Sequence, residues 1–250
     1  ANGARRRAAG QDRRTYRTKG MSDLMDHFGD MSHLPIFPLP LVMLPNELLP
    51  LHIFEERYRQ MLRDIAEQRN RFGITYFEPS EQFMDRPAGG TVGCVAEIRE
   101  SQMLPDGRSN ILSLGIVRYR LLTYLDGDEP YLVAEVEPFS DVHDPDIDTL
   151  ADEVFVLFER MARAAFKLGG SRGPFPEIQR TDPESLSFLI TAAFNFENEK
   201  KYRLLEMTST RERLTELQEL LDKTASQMES SAEIQNISRS NGHSSKKIDL

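Results

Sequence analysis

A proline-punctuated apolar stretch near the start of this chain limits what that part of the chain can fold into. Residues 34–62, LPIFPLPLVMLPNELLPLHIFEERYRQML, hold five prolines in their first seventeen positions and none afterwards. Proline has no backbone N–H to donate, so within a sheet it is tolerated at edges, at bulges and at strand starts. The stretch therefore predicts an interrupted edge strand that leads into a turn at Pro45, Asn46 and Glu47.

The hydrophobic period changes after His52. Apolar residues then recur at helical spacing, at Phe54, Tyr58, Met61, Leu62 and Ile65, while Glu, Arg and Gln occupy positions between them. This spacing places the apolar residues on one face of a helix. An amphipathic helix is predicted to follow the strand at once.

Residues 72–139 consist of short apolar runs separated by turn residues. The runs cover 72–79, 91–100, 110–125 and 131–139, and the segments LPDG and DGDEP provide turns at 104–107 and 126–130. Within the second run Cys94 falls on the apolar face of an alternating pattern. Short strands joined by such turns predict a compact twisted sheet or small barrel.

The second half has helical periodicity. Residues 147–168 carry an apolar residue every three or four positions up to Gly169, and TDPESLSFLITAAFNF starts with a capping box in which Thr181 is the cap and Glu184 reaches back to it. The predicted class is α+β, a barrel or sheet subdomain followed by a helical bundle. Its boundaries are a basic disordered leader at 1–33, a β-rich part at 34–144, a helical part at 145–224 and a disordered tail at 225–250.

Charge is distributed unevenly along the chain. Residues 1–20 hold seven basic residues against Asp12, so they carry +6 of a net −9 and leave −15 for the remainder. A basic arm could contact RNA, anionic lipid or the acidic body itself. Cys94 is the only cysteine, which fits a reducing compartment. With no run of membrane-spanning length and no signal-peptide pattern, we expect no membrane association and a cytoplasmic location, with the plastid stroma as the alternative.

The familiar signatures of catalysis are missing from the sequence. There is no phosphate-binding G-x-x-x-x-G-K-[ST], no G-x-G-x-x-G, no G-x-S-x-G and no H-E-x-x-H. Cys94 with His52 or His143 would be the components of a thiol nucleophile, but a cysteine on an apolar strand face behaves as a small buried hydrophobe. The acidic stretch 141–148 lacks the glycine and the final glutamate of a calcium loop. We therefore expect no enzyme, no metal and no cofactor.

The opening stretch resembles the start of the Lon protease N-terminal (substrate-binding) domain, whose pattern reads lPlFPL…vlfPg…lPLhiFE.RY. The matching residues are Leu34, Pro35, Phe37, Pro38, Leu39, Pro45, Leu49, Pro50, Leu51, His52, Ile53, Phe54, Glu55, Arg57 and Tyr58. Further segments that match in order are FGI, VGCVAEI, PDGRSNILSLGIVRYRLL, PYLVAEVE and the helical segment 185–217. The resemblance covers residues 34–223 and suggests a stand-alone member of the family.

This resemblance implies a PUA-like β subdomain with a helical part, and a module that recognises unfolded or degron-bearing polypeptide without catalysis. An adaptor role in protein quality control follows as an expectation, with a protease or a chaperone as further partners. The expected polypeptide-binding residues are Pro50, His52, Phe54, Arg57 and Tyr58, at the edge strand, which would accept an extended chain by strand addition or apolar contact. The alternative is an RNA-binding protein that uses the PUA-like fold and the basic arm, although an acidic body disfavours nucleic acid.

Overall fold

A computed structural model of the chain describes residues 32–67, 69–78, 85–170 and 173–241, with side chains up to residue 231. Its strands are β1 (His33–Leu39), β2 (Leu48–Ile53), β3 (Arg71–Tyr76), β4 (Val92–Met103), β5 (Ser109–Leu125) and β6 (Leu132–Phe139). Its helices in the described part are α1 (Glu56–Ile65), α2 (Asp148–Leu168), α3 (Pro183–Ala193), α4 (Asn198–Glu206) and α5 (Thr210–Asn241). The predicted α+β class, a β-rich half followed by a helical half, is confirmed.

Five of the six strands in the described part of the chain form a closed ring. β1 pairs in parallel with β3 and antiparallel with β6, and β3–β4, β4–β5 and β5–β6 are antiparallel pairs. Closure satisfies the backbone groups of a small sheet without leaving long edges. β2 is outside the ring, because it pairs with β5 alone among the described strands. The chain therefore has a barrel with one additional strand attached to its surface.

The sequence predicted an edge strand in residues 34–44, and the structure corrects this in part. β1 has a neighbouring strand on each side and is therefore not an edge strand. Each half of it is nevertheless paired on one side only, since residues 33–36 pair with β6 and residues 36–39 pair with β3. Pro35 and Pro38 therefore each have an unpaired side on which a missing N–H is harmless. The strand that is an edge along its whole length is β2, which carries Pro50.

Helix α1 packs against the barrel with the predicted face. Tyr58, Met61 and Ile65 are buried, and the rings of Tyr58 and Phe37 lie 4.0 Å apart between centroids. The helix begins at Glu56, after an extended Glu55. Phe54 therefore lies before the helix, and it is exposed rather than part of the apolar stripe.

The helical half has its own core, in which α2 and α5 make the most extensive contact. Asp182 is the cap of α3, because its carboxylate accepts the Ser185 N–H at 3.0 Å. The predicted cap, Thr181, lies one residue before the observed cap, and Glu184 accepts a hydrogen bond from Arg118. At the start of α5, Ser209 accepts the Glu212 N–H at 3.2 Å.

Helix α5 continues beyond the predicted start of a disordered tail at residue 225. Ala225 is fully buried, Met228 packs against the same core, and Arg160 of α2 binds Glu229 at 2.7 Å. These contacts with α2 hold the helix past the point where the composition turns polar. The helix ends at Asn241, and the remainder of the predicted tail lies outside the described residues, as does the basic leader up to residue 31.

A buried ion cluster joins the barrel to the helical half. Asp141, in the linker after β6, accepts from Arg118 of β5 and from both Arg213 and Thr210 of α5. Arg118 also donates to Glu184 at 3.1 Å. The two arginines are at most 1% exposed, and Asp141 is 4% exposed. Charges at this depth are stable only when they are paired, so the cluster fixes how the two halves meet.

Aromatic rings and backbone oxygens complete the cluster. Arg213 lies 4.1 Å from the ring centroid of Phe188, and Arg118 lies 4.5 Å from that of Phe139. Both guanidinium groups also donate to the Met207 carbonyl. The terminal nitrogens of both guanidinium groups therefore have partners suited to a dry site.

The cluster perturbs the pKa values of its two acids in opposite directions. Burial opposes ionisation of Asp141, but the guanidinium groups of Arg118 and Arg213 outweigh it and lower the pKa of that carboxyl. Burial, with Asp141 nearby, raises the pKa of Glu184. The stability that Asp141 contributes is thus complete above its ordinary pKa of 3.8 and is lost as the pH falls through the lowered value. Glu184 behaves in the opposite way: the stability linked to its protonated form is complete below its ordinary pKa of 4.5 and is lost as the pH rises through the raised value.

Replacing Asp141 by Asn should lower the free energy of unfolding by about 3–5 kcal/mol, because it leaves two buried guanidinium groups short of a counter-charge. Urea unfolding at neutral pH measures the loss. The matched control is Asp144→Asn in the same linker, whose exposed pair with Arg211 should contribute far less. The gap between wild type and Asp141→Asn should narrow below about pH 4. Equal losses from the two variants would contradict the account of the cluster.

Cys94 is a buried packing residue in the apolar cluster between the barrel and α1, as its position on the apolar strand face predicted. It is fully buried, lies between Ile74 and Arg118 in register, and its Sγ is 3.7 Å from the Val95 oxygen. Burial raises the pKa of its thiol to about 12. The nucleophile hypothesis has no geometric support, since His52 and His143 are both exposed.

A thiol reagent at neutral pH should label the folded protein only as fast as the barrel opens, because the buried Cys94 thiol is protonated. The measurement is the labelling rate with and without denaturant, which separates folded from unfolded reactivity. Cys94→Ala should cost about 1 kcal/mol of stability and leave binding unchanged. Labelling of the native chain at the rate of the unfolded chain would refute the burial of this residue.

Candidate functional site

The outward face of β2 exposes apolar side chains to solvent. Along the strand Leu48, Pro50 and His52 are exposed, while Leu49 and Leu51 turn inward and pack against the barrel core. Leu48 is 57% exposed. An alternating strand normally places its polar residues outward, so this pattern requires another explanation.

Strand β5 extends this apolar face. Leu114 lies directly opposite Leu48, and Leu112 lies opposite Pro50, so these pairs share the outward side of the sheet. Leu112 and Leu114 are half-buried and belong to none of the apolar clusters of the core. We call Leu48, Pro50, Leu112 and Leu114 the outer strip. Together these residues form a small apolar patch on the outward side of the sheet.

An aromatic pair borders the outer strip. His52 donates from Nδ1 to Asn110 Oδ1 at 2.7 Å, which fixes the imidazole ring on the outer face. The ring of Phe54 lies 6.2 Å from it in a stacked arrangement, and Phe54 is 61% exposed. A phenylalanine in this position offers a rigid, solvent-facing contact surface.

The structure brings three of the five predicted binding residues together: Pro50, His52 and Phe54. Arg57 is exposed beside them, paired with Glu55 at 2.8 Å and placed over the ring of Tyr58. Tyr58 itself is 5% exposed and belongs to the core, so it takes no part in the outer surface.

Sequence reasoning missed three apolar members of this surface, Leu48, Leu112 and Leu114. The signal was present in the period-two pattern of NILSLGI, where Asn110, Leu112 and Leu114 alternate with small or buried residues. The direction of that alternation depends on which face covers the core, and this is fixed only by the pairing with β2.

The second feature of β2 is its unpaired edge. Gly115 N–H donates to the Glu47 oxygen at 2.9 Å, which marks the start of the ladder with β5. Because antiparallel pairs alternate, residues 49, 51 and 53 use their backbone groups toward β5. The backbone groups of Leu48, Pro50 and His52 therefore point away from the barrel. The missing N–H of Pro50 lies on this outward side, where a proline is tolerated.

Two adjoining depressions of about 430 Å³ each lie elsewhere, between α1 and the loop 126–131. Asp64 and Glu129 line both of them, but Asp64 is already bound by Gln60 at 2.6 Å and by Tyr131 at 2.8 Å. These open, acidic depressions hold no arrangement of a nucleophile and a base. Over the described residues, no group of His, Cys, Asp and Glu side chains is placed to hold a metal ion. Nor does any helix in that part have the length and apolarity to cross a membrane.

Comparison with known proteins gives a consistent result. A family profile for the ATP-dependent protease La (LON) substrate-binding domain matches residues 33–223. Lon protease of Cytophaga hutchinsonii is 29% identical over 213 residues, which cover 81% of this chain and 26% of that protein. Lon protease of Solibacter usitatus is 28% identical over 200 residues, covering 77% and 24%. The chain thus spans about a quarter of the length of these relatives.

Solved structures show the same fold. A Lon N-terminal domain protein from Xanthomonas campestris aligns with a TM-score of 0.51 at 23% identity, over 75% of this chain and 97% of that one. The N-terminal domain of Mycobacterium avium complex Lon protease aligns with a TM-score of 0.56 at 20% identity, over 76% and 98%.

The matched region is the substrate-binding part of these proteases and not their protease or ATPase part. The profile covers well over half of the chain, including every strand of the barrel and the helices up to the first part of α5. This chain belongs to the Lon substrate-binding domain family.

Proposed function

We propose that this protein binds unfolded or degron-bearing polypeptide at the outer strip and the adjoining edge of β2, as a non-catalytic recognition module. The observation that carries the proposal is the exposed apolar face of β2 and β5 beside an unpaired strand edge. Family membership supports the same reading, because the matched region is a substrate-binding domain.

The side chains on this surface suit apolar, extended clients. Leu48, Pro50 and Phe54 leave apolar area in water, and covering it is favourable at about 25 cal/mol per Å². Unfolded chains expose the complementary apolar residues, whereas folded proteins bury them. The surface is small and an unfolded client gives up conformational entropy, so individual contacts should be weak.

The chain supports recognition without chemistry of its own. Its sequence contains no phosphate-cradling loop and no activated nucleophile, and Cys94 is buried and protonated. A module of this kind acts by presenting its client to another protein. We therefore propose an adaptor role in protein quality control, in the cytoplasm or the plastid stroma, with a protease or chaperone as the receiving partner.

RNA binding is the competing hypothesis. It depends on the basic arm in residues 1–20, since residues 21–250 carry a net charge of −15 that would repel phosphate. The outer strip has no exposed lysine or arginine among its four residues. Polypeptide binding through apolar contact should change little with moderate salt, whereas binding through phosphate neutralisation should fall steeply.

Replacing Leu48 by Ser should weaken binding of a reduced, unfolded test protein about fivefold, because it removes about 1 kcal/mol of apolar contact. The matched control is Val156→Ser on α2, a residue 55% exposed that lies outside the outer strip. Fluorescence anisotropy of the labelled client measures both affinities. Equal affinities for the two variants would remove the outer strip from the binding site.

Deleting residues 1–30 separates the polypeptide and RNA hypotheses. Client binding should survive the deletion, and it should vary little between low and moderate salt. A mixed RNA pool is titrated in the same way against the full chain and the chain that lacks residues 1–30. Binding of RNA alone, and only while the arm is present, would contradict the proposed function.

A further inference from the structure

We infer that the client of β2 is an added β-strand: a short extended segment with apolar side chains at every second position and neutral or basic residues between them. This inference rests on the proposed function and specifies how the site reads its client. It follows from the direction of the β2 backbone groups, from the side chains beside them and from charge.

The outward edge of β2 presents a defined set of hydrogen-bonding groups. Leu48 and His52 each offer an N–H and a C=O, and Pro50 offers a C=O only. The edge therefore supplies two donors and three acceptors over five residues. A client strand can use these groups by main-chain pairing, which requires no particular side-chain sequence.

Pro50 limits the pairing. One client carbonyl beside the proline ring finds no donor, so a long regular strand gains less at this edge than at an ordinary one. The site is thereby suited to brief capture of an extended segment and protected against sheet-like aggregation. Because main-chain pairing alone is incomplete, side-chain contacts have to supply the remaining affinity.

The side chains next to the edge favour a client whose apolar residues recur at every second position. Client residues opposite Leu48, Pro50 and His52 direct their side chains to the outer face, where they meet these residues, with Leu112 and Leu114 one strand further. The intervening client residues point to the other face. An apolar residue at every second position satisfies this surface, while the helical spacing of an amphipathic helix does not.

Charge adds a weaker preference for the residues between the apolar positions. Glu47 lies before one end of β2 and Glu55 follows the other, where its partner Arg57 neutralises it. Residues 21–250 together carry −15. An acidic client is therefore repelled by the body of the protein, and a basic one is attracted.

The test uses the full chain and peptides of about nine residues, the length of a strand that overlaps β2 at both ends. One peptide carries leucine at alternate positions separated by lysine and threonine, and a second has the same composition with leucine at helical spacing. We expect the alternating peptide to bind at least about fivefold tighter. Exchanging its lysines for glutamates should weaken it, and the difference should shrink as salt is added.

Backbone N-methylation of the alternating peptide reports pairing directly, because it removes one N–H without changing a side chain. Methylation at positions that face β2 should weaken binding about fivefold or more, and methylation at the positions between them should have little effect. An antiparallel client loses affinity when the leucine positions are methylated, and a parallel client loses affinity at the intervening ones. A loss confined to either set of positions supports strand addition, and the set affected gives the direction of the client strand.

Pro50→Ala provides the complementary change in the protein. It adds an edge donor and removes part of one apolar side chain of the outer strip, and the added hydrogen bond should outweigh the lost contact and tighten binding of the alternating peptide about twofold. Pro130→Ala, an exposed proline in the loop 126–131, is the matched control and should have no effect.

Uniform loss on N-methylation at every position would overturn strand addition while leaving apolar recognition at the outer strip intact. Binding of unfolded proteins without binding of the alternating peptide would also overturn it. Failure of both clients to bind would remove the proposed function as well. A dimer that must dissociate before the peptide binds, seen by sedimentation, would assign the edge to a second copy and contradict the inference.

Discussion

The requirement that buried backbone groups be paired governs this structure. A small sheet can meet it by closing on itself, and five strands do so through five pairings around the ring. β5 is long enough to pair with β4 along one side and with both β2 and β6 along the other. β2 is consequently bound on one side only. The position of the proposed site is a consequence of how the barrel closes.

The helical half is held to this barrel by charge as well as by apolar packing. Asp141 receives hydrogen bonds from β5 and α5, while Glu184 of α3 binds the same Arg118. An apolar cluster that includes Val42, Leu44 and Phe188 lies between the halves. A buried ion cluster contributes little net stability compared with apolar packing, but it tolerates few alternative arrangements. It therefore defines the orientation of the helices relative to the barrel.

Much of the fold could be predicted from the sequence because it depends on local patterns. The periods of two and of 3.6 located the strands and helices, and the proline-rich opening with the segments that follow it identified the family. The proposed site was readable only in part. Pro50, His52 and Phe54 came from the resemblance, and the structure gathers them on one surface. Leu112 and Leu114 depend on strand register, which a local pattern does not define.

The remaining differences between the sequence-based predictions and the structure arise from contacts between residues that are far apart in the chain. Tyr58 has the helical spacing of its neighbours, so its side chain enters the core that α1 covers. Asp182 rather than Thr181 caps α3, while Glu184 is drawn into the ion cluster with Arg118. The partners in that cluster are far apart in the chain, and no spacing rule connects them. Helix α5 persists because α2 packs against it, which outweighs the polar composition after residue 225.

The claim that polypeptide binds at the edge of β2 is tested most directly by amide hydrogen exchange at single-residue resolution, with and without saturating unfolded client. Leu49, Leu51 and Ile53 already direct their amides to β5, so their exchange should be slow in both states. The amides of Leu48 and His52 point outward and should exchange quickly in the free protein and slowly in the complex. Unchanged exchange at these two amides, with new protection confined to the helical half, would contradict the account.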